Sequence, residues 1–181
     1  GGPIGCELAF CFARFGAHVT IVQKADQILP REDEDSAEVV ASAMEEEGIR
    51  ILTDMTATMV EKKSGGYFLH ALNSSGKVTV ECDAMLVALG RKPAVQGLGL
   101  EELGVKFSSA GYIENSPLLQ TSAPSIFVAG DIASPYQFTH VAGYQGAAAA
   151  VNALGIPFFK SKMNYDVIPW CTFTDPEVAR V

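Results

Sequence analysis

The residues of this 181-residue chain best suited to chemistry are the glycines of Gly1-Gly2-Pro3-Ile4-Gly5-Cys6-Glu7. Glycines crowded ahead of an apolar helix let the backbone approach a pyrophosphate. Unpaired amides at the helix start then face the phosphates, with a charge of roughly +0.5 from the helix dipole. In the pattern G-x-G-x-x-G, Gly2 and Gly5 fill the second and third positions, so the first would sit just before residue 1. Gly2 would admit the ligand, and Gly5 would let helix and strand pack closely. A glycine-rich helix entry can also serve packing alone, so the rest of the chain must supply the context.

Other reactive side chains are sparse. Cys6, Cys11, Cys82 and Cys171 are too scattered for a disulfide framework or a zinc cluster. His18, His70 and His140 form no metal-ligand spacing, so no metal is expected. A formal charge of −8 argues against a general nucleic-acid surface. No apolar run reaches the roughly 18 residues of a membrane span, and no leader opens the chain. A soluble cytoplasmic protein is the expectation.

The elements that would position the glycine turn follow from periodicity. Ile4, Leu8, Phe12 and Phe15 recur at helical spacing from Pro3 to a stop at Gly16. His18 to Val22 reads as a buried parallel strand, Ser36 to Gly48 as a second helix, and Ile49 to Leu52 as the next strand. Met59 to Lys62, Tyr67 to Leu72 and Lys77 to Cys82, separated by Gly/Ser/Asn turns, predict an antiparallel meander. A parallel strand is expected over Ala84 to Leu89 and a buried one over Ser125 to Ala129. A loop to Tyr136 precedes a small-residue helix, Thr139 to Leu154, and Ile168 to Thr174 begins a new strand. There are no internal repeats.

Three motifs now coincide: Gly1 to Glu7, Leu86-Val-Ala-Leu-Gly-Arg-Lys-Pro93, and Thr121-Ser-Ala-Pro-Ser-Ile-Phe-Val-Ala-Gly-Asp131. Their order and separation resemble the pyridine nucleotide-disulfide oxidoreductases, the flavoprotein family of dihydrolipoamide dehydrogenase, glutathione reductase and mercuric reductase. Phe173-Thr-Asp-Pro-Glu-Val-Ala179 resembles the opening of that family's dimerisation domain, so the resemblance covers essentially the whole chain. Gln137-Phe-Thr-His-Val-Ala142 and the terminal Phe-Thr-Asp-Pro-Glu segment look closest to mercuric reductase-like members, and the chain as a whole resembles these and dihydrolipoamide dehydrogenase-like members.

The resemblance implies an α/β fold: a Rossmann-type NAD(P)-binding domain with an antiparallel β-meander, plus a partial FAD-binding domain. The NAD(P) domain would occupy 1–94 without its first strand. The returning part of the FAD domain would occupy 95–160 and the start of a dimerisation domain 161–181. It implies a fragment of a homodimeric enzyme that passes hydride from NAD(P)H to FAD, and electrons on to a disulfide or metal-ion substrate. The substrate-side redox cysteines would lie outside these residues, leaving the fragment with little or no catalysis of its own.

Residue by residue, the resemblance places Gly1, Gly2, Ile4 and Gly5 on the NAD(P) pyrophosphate and Glu7 near nicotinamide and flavin. Glu7 could also simply be a first-turn acid complementing the helix dipole. At the end of the second strand NAD enzymes favour a carboxylate, which repels a 2′-phosphate. Gln23 stands there, with Lys24 at the place of a phosphate-binding cation and Arg31 as a second, so NADP is favoured over NAD. Gly90 and Arg91 match the strand end beside the NAD(P) domain, although Ala94 replaces the family's asparagine. Gly130-Asp131 matches the second FAD signature, the aspartate holding a ribityl hydroxyl. Phe138, Thr139, His140 and Ala142 match positions near the isoalloxazine.

Cys6 and Cys11 have the C-x-x-x-x-C spacing of the family's redox centre but sit on the expected first helix. There, residues five apart lie roughly 8.6 Å between Cα atoms, and a disulfide tolerates at most about 7 Å. Both read as ordinary helix residues. A short-chain dehydrogenase would need Tyr-x-x-x-Lys, which no tyrosine here provides. The alternative from another class is a non-catalytic nucleotide-binding or sensing module.

Overall fold

A computed structural model describes residues 1–133, 136–156 and 158–181. Ser134 and Pro135, in the loop expected to end at Tyr136, lie outside the described residues. The chain divides into two compact units, one of Gly1–Leu89 with Cys171–Arg180, the other of Gly90–Trp170.

The first unit opens with α1 (Pro3–Arg14), followed by β1 (Thr20–Val22), α2 (Glu34–Glu46) and β2 (Arg50–Leu52). β1 and β2 pair in parallel, Ile21 opposite Ile51, with α2 as the crossover. Only a connection of that length can return a chain for parallel pairing. α2 starts two residues before the expected Ser36, with Asp33 as N-cap and Glu34 and Asp35 in its first turn, where negative charge suits the dipole. α1, α2 and the two strands share one core of Cys6, Ala9, Phe10, Ile21, Ile28, Leu29, Val40, Met44 and Ile49.

That core corrects the amphipathic reading of α1. Its buried residues are Cys6, Ala9 and Phe10, whereas Ile4, Phe12 and Phe15 of the expected apolar stripe are 44%, 47% and 86% exposed. The buried face thus runs through Cys6, Ala9 and Phe10, turned away from the expected stripe.

β3 (Thr56–Lys63), β4 (Gly66–Asn73) and β5 (Gly76–Cys82) form an antiparallel sheet in that order. The tight β4–β5 connection is fixed by Asn73, whose Oδ1 accepts the N–H groups of Ser75 and Gly76 at 2.9 and 3.0 Å. The strand expected at Ala84 to Leu89 is not formed. A strand exists only through a hydrogen-bonding neighbour, and this segment pairs with no strand of β1–β2 or β3–β4–β5. Its apolar side chains remain outside, with Leu86, Val87 and Leu89 at 52%, 70% and 88% exposure.

In the second unit an irregular stretch packs around Val95, Val105, Ile113, Ala123, Val128 and Ala133. The strand expected over Ser125 to Ala129 is reduced to a single bridge, Phe127 to Gln120, for the same want of a continuous partner. α3 (Thr139–Ala153) buries Val141, Gln145, Ala148 and Ala149. The expected strand near Ile168 is β6 (Trp170–Thr172), which pairs with β7 (Val178–Arg180).

Candidate functional site

In the first unit the glycine turn is held from behind. The Gly1 carbonyl accepts the Leu29 N–H at 2.7 Å and the Cys6 thiol at 3.4 Å. Gly2 is the N-cap of α1, Pro3 opens the helix, and the first helical bond runs from Cys6 N–H to the Gly2 carbonyl at 3.0 Å. No side chain caps this end, so the amides of Ile4 and Gly5 point out of the helix start.

Gly2 has an ordinary extended backbone, φ −81°, and a Cβ there would meet no atom within 4 Å. Nothing inside the chain therefore demands glycine at this position. A Cβ on Gly5 would make ordinary contact with Ala88 at 3.7 Å, so Gly5 faces the 84–89 segment.

Gln23 follows β1 directly, beside the turn. A Cβ on Gly1 would fall within 2.9 to 3.0 Å of its side-chain carbons. The Gln23 amide donates to the Gln27 carbonyl at 3.3 Å, and the Gln27 amide donates to the Glu32 carbonyl at 3.1 Å. Leu29, in the left-handed region at φ 46° and buried, closes this loop onto Gly1. Lys24 and Arg31 are exposed on it. Sequence reasoning passed over Gln27 and Leu29, since neither type is diagnostic of a loop; an apolar Ile28-Leu29 pair within a charged stretch was the available signal.

Glu7 is not a first-turn acid. It lies beyond the first turn of α1, and its Oε1 accepts the Phe173 N–H at 2.9 Å, tying the helix to the segment after β6. Arg14 adds a second tie, its Nη2 lying 2.7 Å from both Glu47 and Asp175.

Cys6 is fully buried while Cys11 is exposed, and both are free thiols. Burial pushes the Cys6 thiol up to about 11. The Cys171 thiol is also raised, by desolvation and then by the carboxylates of Glu177 and Glu7. Both are pushed away from the thiolate that disulfide chemistry needs. Among the described residues no group of three or more His, Cys, Asp or Glu is placed to hold a metal.

The second unit carries the other turn. Gly130 is left-handed at φ 82°, and its carbonyl accepts the Ala133 N–H at 2.9 Å. Asp131 is exposed beside it. A Cβ on Gly130 would lie 3.7 Å from Ala142, which places the turn against α3. α3 begins after Phe138 with no side-chain cap, and Thr139 and His140 are exposed at its start. Phe138 stacks on His140 with centroids 5.5 Å apart and on Trp170 at 5.8 Å. Gly90, left-handed at φ 113°, and Arg91 are both exposed where this unit begins.

The turn's polar partner is Gln145, which sequence reasoning missed. Its Oε1 accepts the Gly130 N–H at 2.6 Å, and its Nε2 donates to the Tyr165 hydroxyl at 2.9 Å. The signal was a lone glutamine in the stripe of Val141, Ala148 and Ala149.

A parallel βαβ crossover and two glycine turns beside uncapped helix starts define an α/β protein built around helix N-termini. A pyridine nucleotide-disulphide oxidoreductase family model matches residues 1–146, and the chain belongs to that family. It is 39% identical over 186 residues to dihydrolipoyl dehydrogenase of Bacillus subtilis, covering 99% of this chain and 38% of that protein. It is 36% identical over 180 residues to mercuric reductase of Bacillus cereus, covering 99% of this chain and 28% of that protein. Among solved structures, LpdA from Mycobacterium tuberculosis superposes with a TM-score of 0.87 at 30% identity, covering 99% of this chain and 38% of that one. The Cu(II) complex of the HOCl-induced flavoprotein disulfide reductase RclA from Escherichia coli gives 0.88 at 29% identity, covering 98% and 39%. The chain thus spans less than two fifths of the length of these proteins.

Proposed function

We infer that these residues are the nicotinamide-dinucleotide unit and the returning flavin segment of an FAD-dependent oxidoreductase. The observation that carries the reading is Gly2. The fold needs no glycine there, so the requirement falls on a ligand approaching the Ile4 and Gly5 amides. Gly1, Gly2, Ile4 and Gly5 would hold the pyrophosphate of NAD(P). Gln23, Lys24 and Arg31 would face the adenosine ribose; with no carboxylate to repel a 2′-phosphate, NADP is favoured over NAD.

Asp131 would accept a hydrogen bond from an FAD ribityl hydroxyl, while Phe138, Thr139, His140 and Ala142 would border the ring with α3's uncapped amides. Gly90 and Arg91 would stand where the chain passes from one nucleotide site to the other. When bound, FAD would take up hydride from NAD(P)H and deliver electrons to a disulfide or metal-ion substrate. Glu7 would lie on the nicotinamide side of that transfer. In domain terms, 1–94 would serve NAD(P), 95–160 FAD, and 161–181 the dimer of a cytoplasmic enzyme.

The test is the visible spectrum of the full-length protein as purified. Flavin bands released as FAD on denaturation are the expected result; a colourless protein that takes up no added FAD contradicts the reading.

A further inference from the structure

Gly130 leaves its backbone N–H pointing into the interior, and a peptide N–H can only donate. The oxygen that meets it belongs to Gln145, a side chain with 0% exposure. The donor-only Gly130 N–H fixes which end of the amide faces it, and the other end, Nε2, donates to the Tyr165 hydroxyl at 2.9 Å. Tyr165 in turn stacks on Tyr136 with centroids 5.5 Å apart. Ala142, one helical turn before Gln145, lies on the side where a Cβ on the same glycine would project, 3.7 Å from it. The position of Asp131 is thus set by a polar tie and an apolar stop on one face of α3.

We propose that Gln145 is a positioning residue for flavin binding. It holds the left-handed Gly130 so that the neighbouring Asp131 carboxylate is presented to the ribityl chain, with the Tyr165 hydroxyl satisfying the other end of its amide. The inference rests on the flavin reading of Gly130-Asp131 and adds to it residues outside that motif. Gln145 touches no ligand in this role and acts through the backbone.

Three variants of the full-length protein separate this role from simple core filling. Gln145→Met keeps the volume and removes both polar ends. Gln145→Glu, ionised or protonated, keeps an acceptor oxygen for Gly130. Tyr165→Phe removes only the hydroxyl that accepts from Nε2. Two quantities are read: hydrogen exchange of the Gly130 amide in the FAD-free protein, and the FAD dissociation constant from the recovery of flavin fluorescence on release.

In Gln145→Met the Gly130 amide is expected to exchange at least tenfold faster and FAD to bind at least tenfold more weakly. Gln145→Glu should stay within about threefold of the wild type on both readings, and Tyr165→Phe should fall between the two. Wild-type exchange and FAD affinity in Gln145→Met would overturn the proposal while leaving the flavin reading intact. So would equal losses in Gln145→Met and Gln145→Glu, because an acceptor oxygen facing Gly130 would then make no difference to either reading. If Gln145→Met does not fold, Gln145→Glu and Tyr165→Phe decide: no graded loss between them overturns the proposal. A wild-type protein that binds no FAD removes the flavin reading and this inference together.

Discussion

Cys6 and Cys11 show what a motif means once its surroundings are known. The pair has redox spacing, yet one thiol is buried against the Gly1 carbonyl and the other faces solvent. With Cys6 raised from 9.0 to about 11, its thiolate fraction near pH 8 is on the order of one in a thousand. A brief exposure of the native chain to iodoacetamide, read by peptide mass spectrometry, should therefore label Cys11 and spare Cys6 until the protein is unfolded. A native Cys6–Cys11 bridge would contradict this.

The shift also gives Cys6 a pH signature. A pKa raised on folding means that the native state holds its proton more tightly. The stabilisation, about 2–3 kcal/mol, is complete below pH 9 and declines as pH rises from 9 towards 11. The stability difference between the wild type and Cys6→Ala should narrow over that interval. At the strand end, Lys24 is exposed on a loop whose backbone is pinned by Gln23, Gln27 and Leu29. The backbone that carries its charge is thus held in place. The full-length protein should bind NADPH more tightly than NADH by about tenfold, or about 1.4 kcal/mol, and Lys24→Ala should lose most of that margin. A preference for NADH would contradict the assignment.

Elements were legible from sequence where their partners are local. α1, α2, β1, β2 and the meander each need only neighbours within about thirty residues, and turn chemistry such as the Asn73 tie marks their limits. The segments 84–89 and 125–129 read as strands from side-chain type alone, but a strand is a property of a pair, and neither finds a continuous partner. Likewise the α1 stripe was visible, but the buried face runs through Cys6, Ala9 and Phe10 instead. Gln145 and Leu29 escaped notice because a buried polar side chain and a left-handed leucine are imposed by tertiary packing. The 84–89 segment yields a prediction at this scale. Unpaired backbone beside exposed Leu86, Val87 and Leu89 forms an adhesive edge. The isolated 181-residue chain should show concentration-dependent self-association in sedimentation velocity, and Val87→Lys should reduce it. Unchanged association in that variant would place the adhesive surface elsewhere.

For the whole molecule, the two units each carry one glycine turn beside one uncapped helix start. The chain belongs to the pyridine nucleotide-disulphide oxidoreductase family and spans less than two fifths of the length of the relatives it matches. Neither buried Cys6 nor Cys171 is tuned for thiolate chemistry, which fits a segment concerned with nucleotides. The central claim is that these residues serve a flavoprotein reduced by a nicotinamide dinucleotide. Its most direct test is an anaerobic titration of the full-length protein with NADPH, followed at the flavin absorbance maximum. The account predicts loss of that absorbance as NADPH is added, with NADH less effective. A protein without flavin, or a bound flavin that neither nucleotide bleaches, would contradict it.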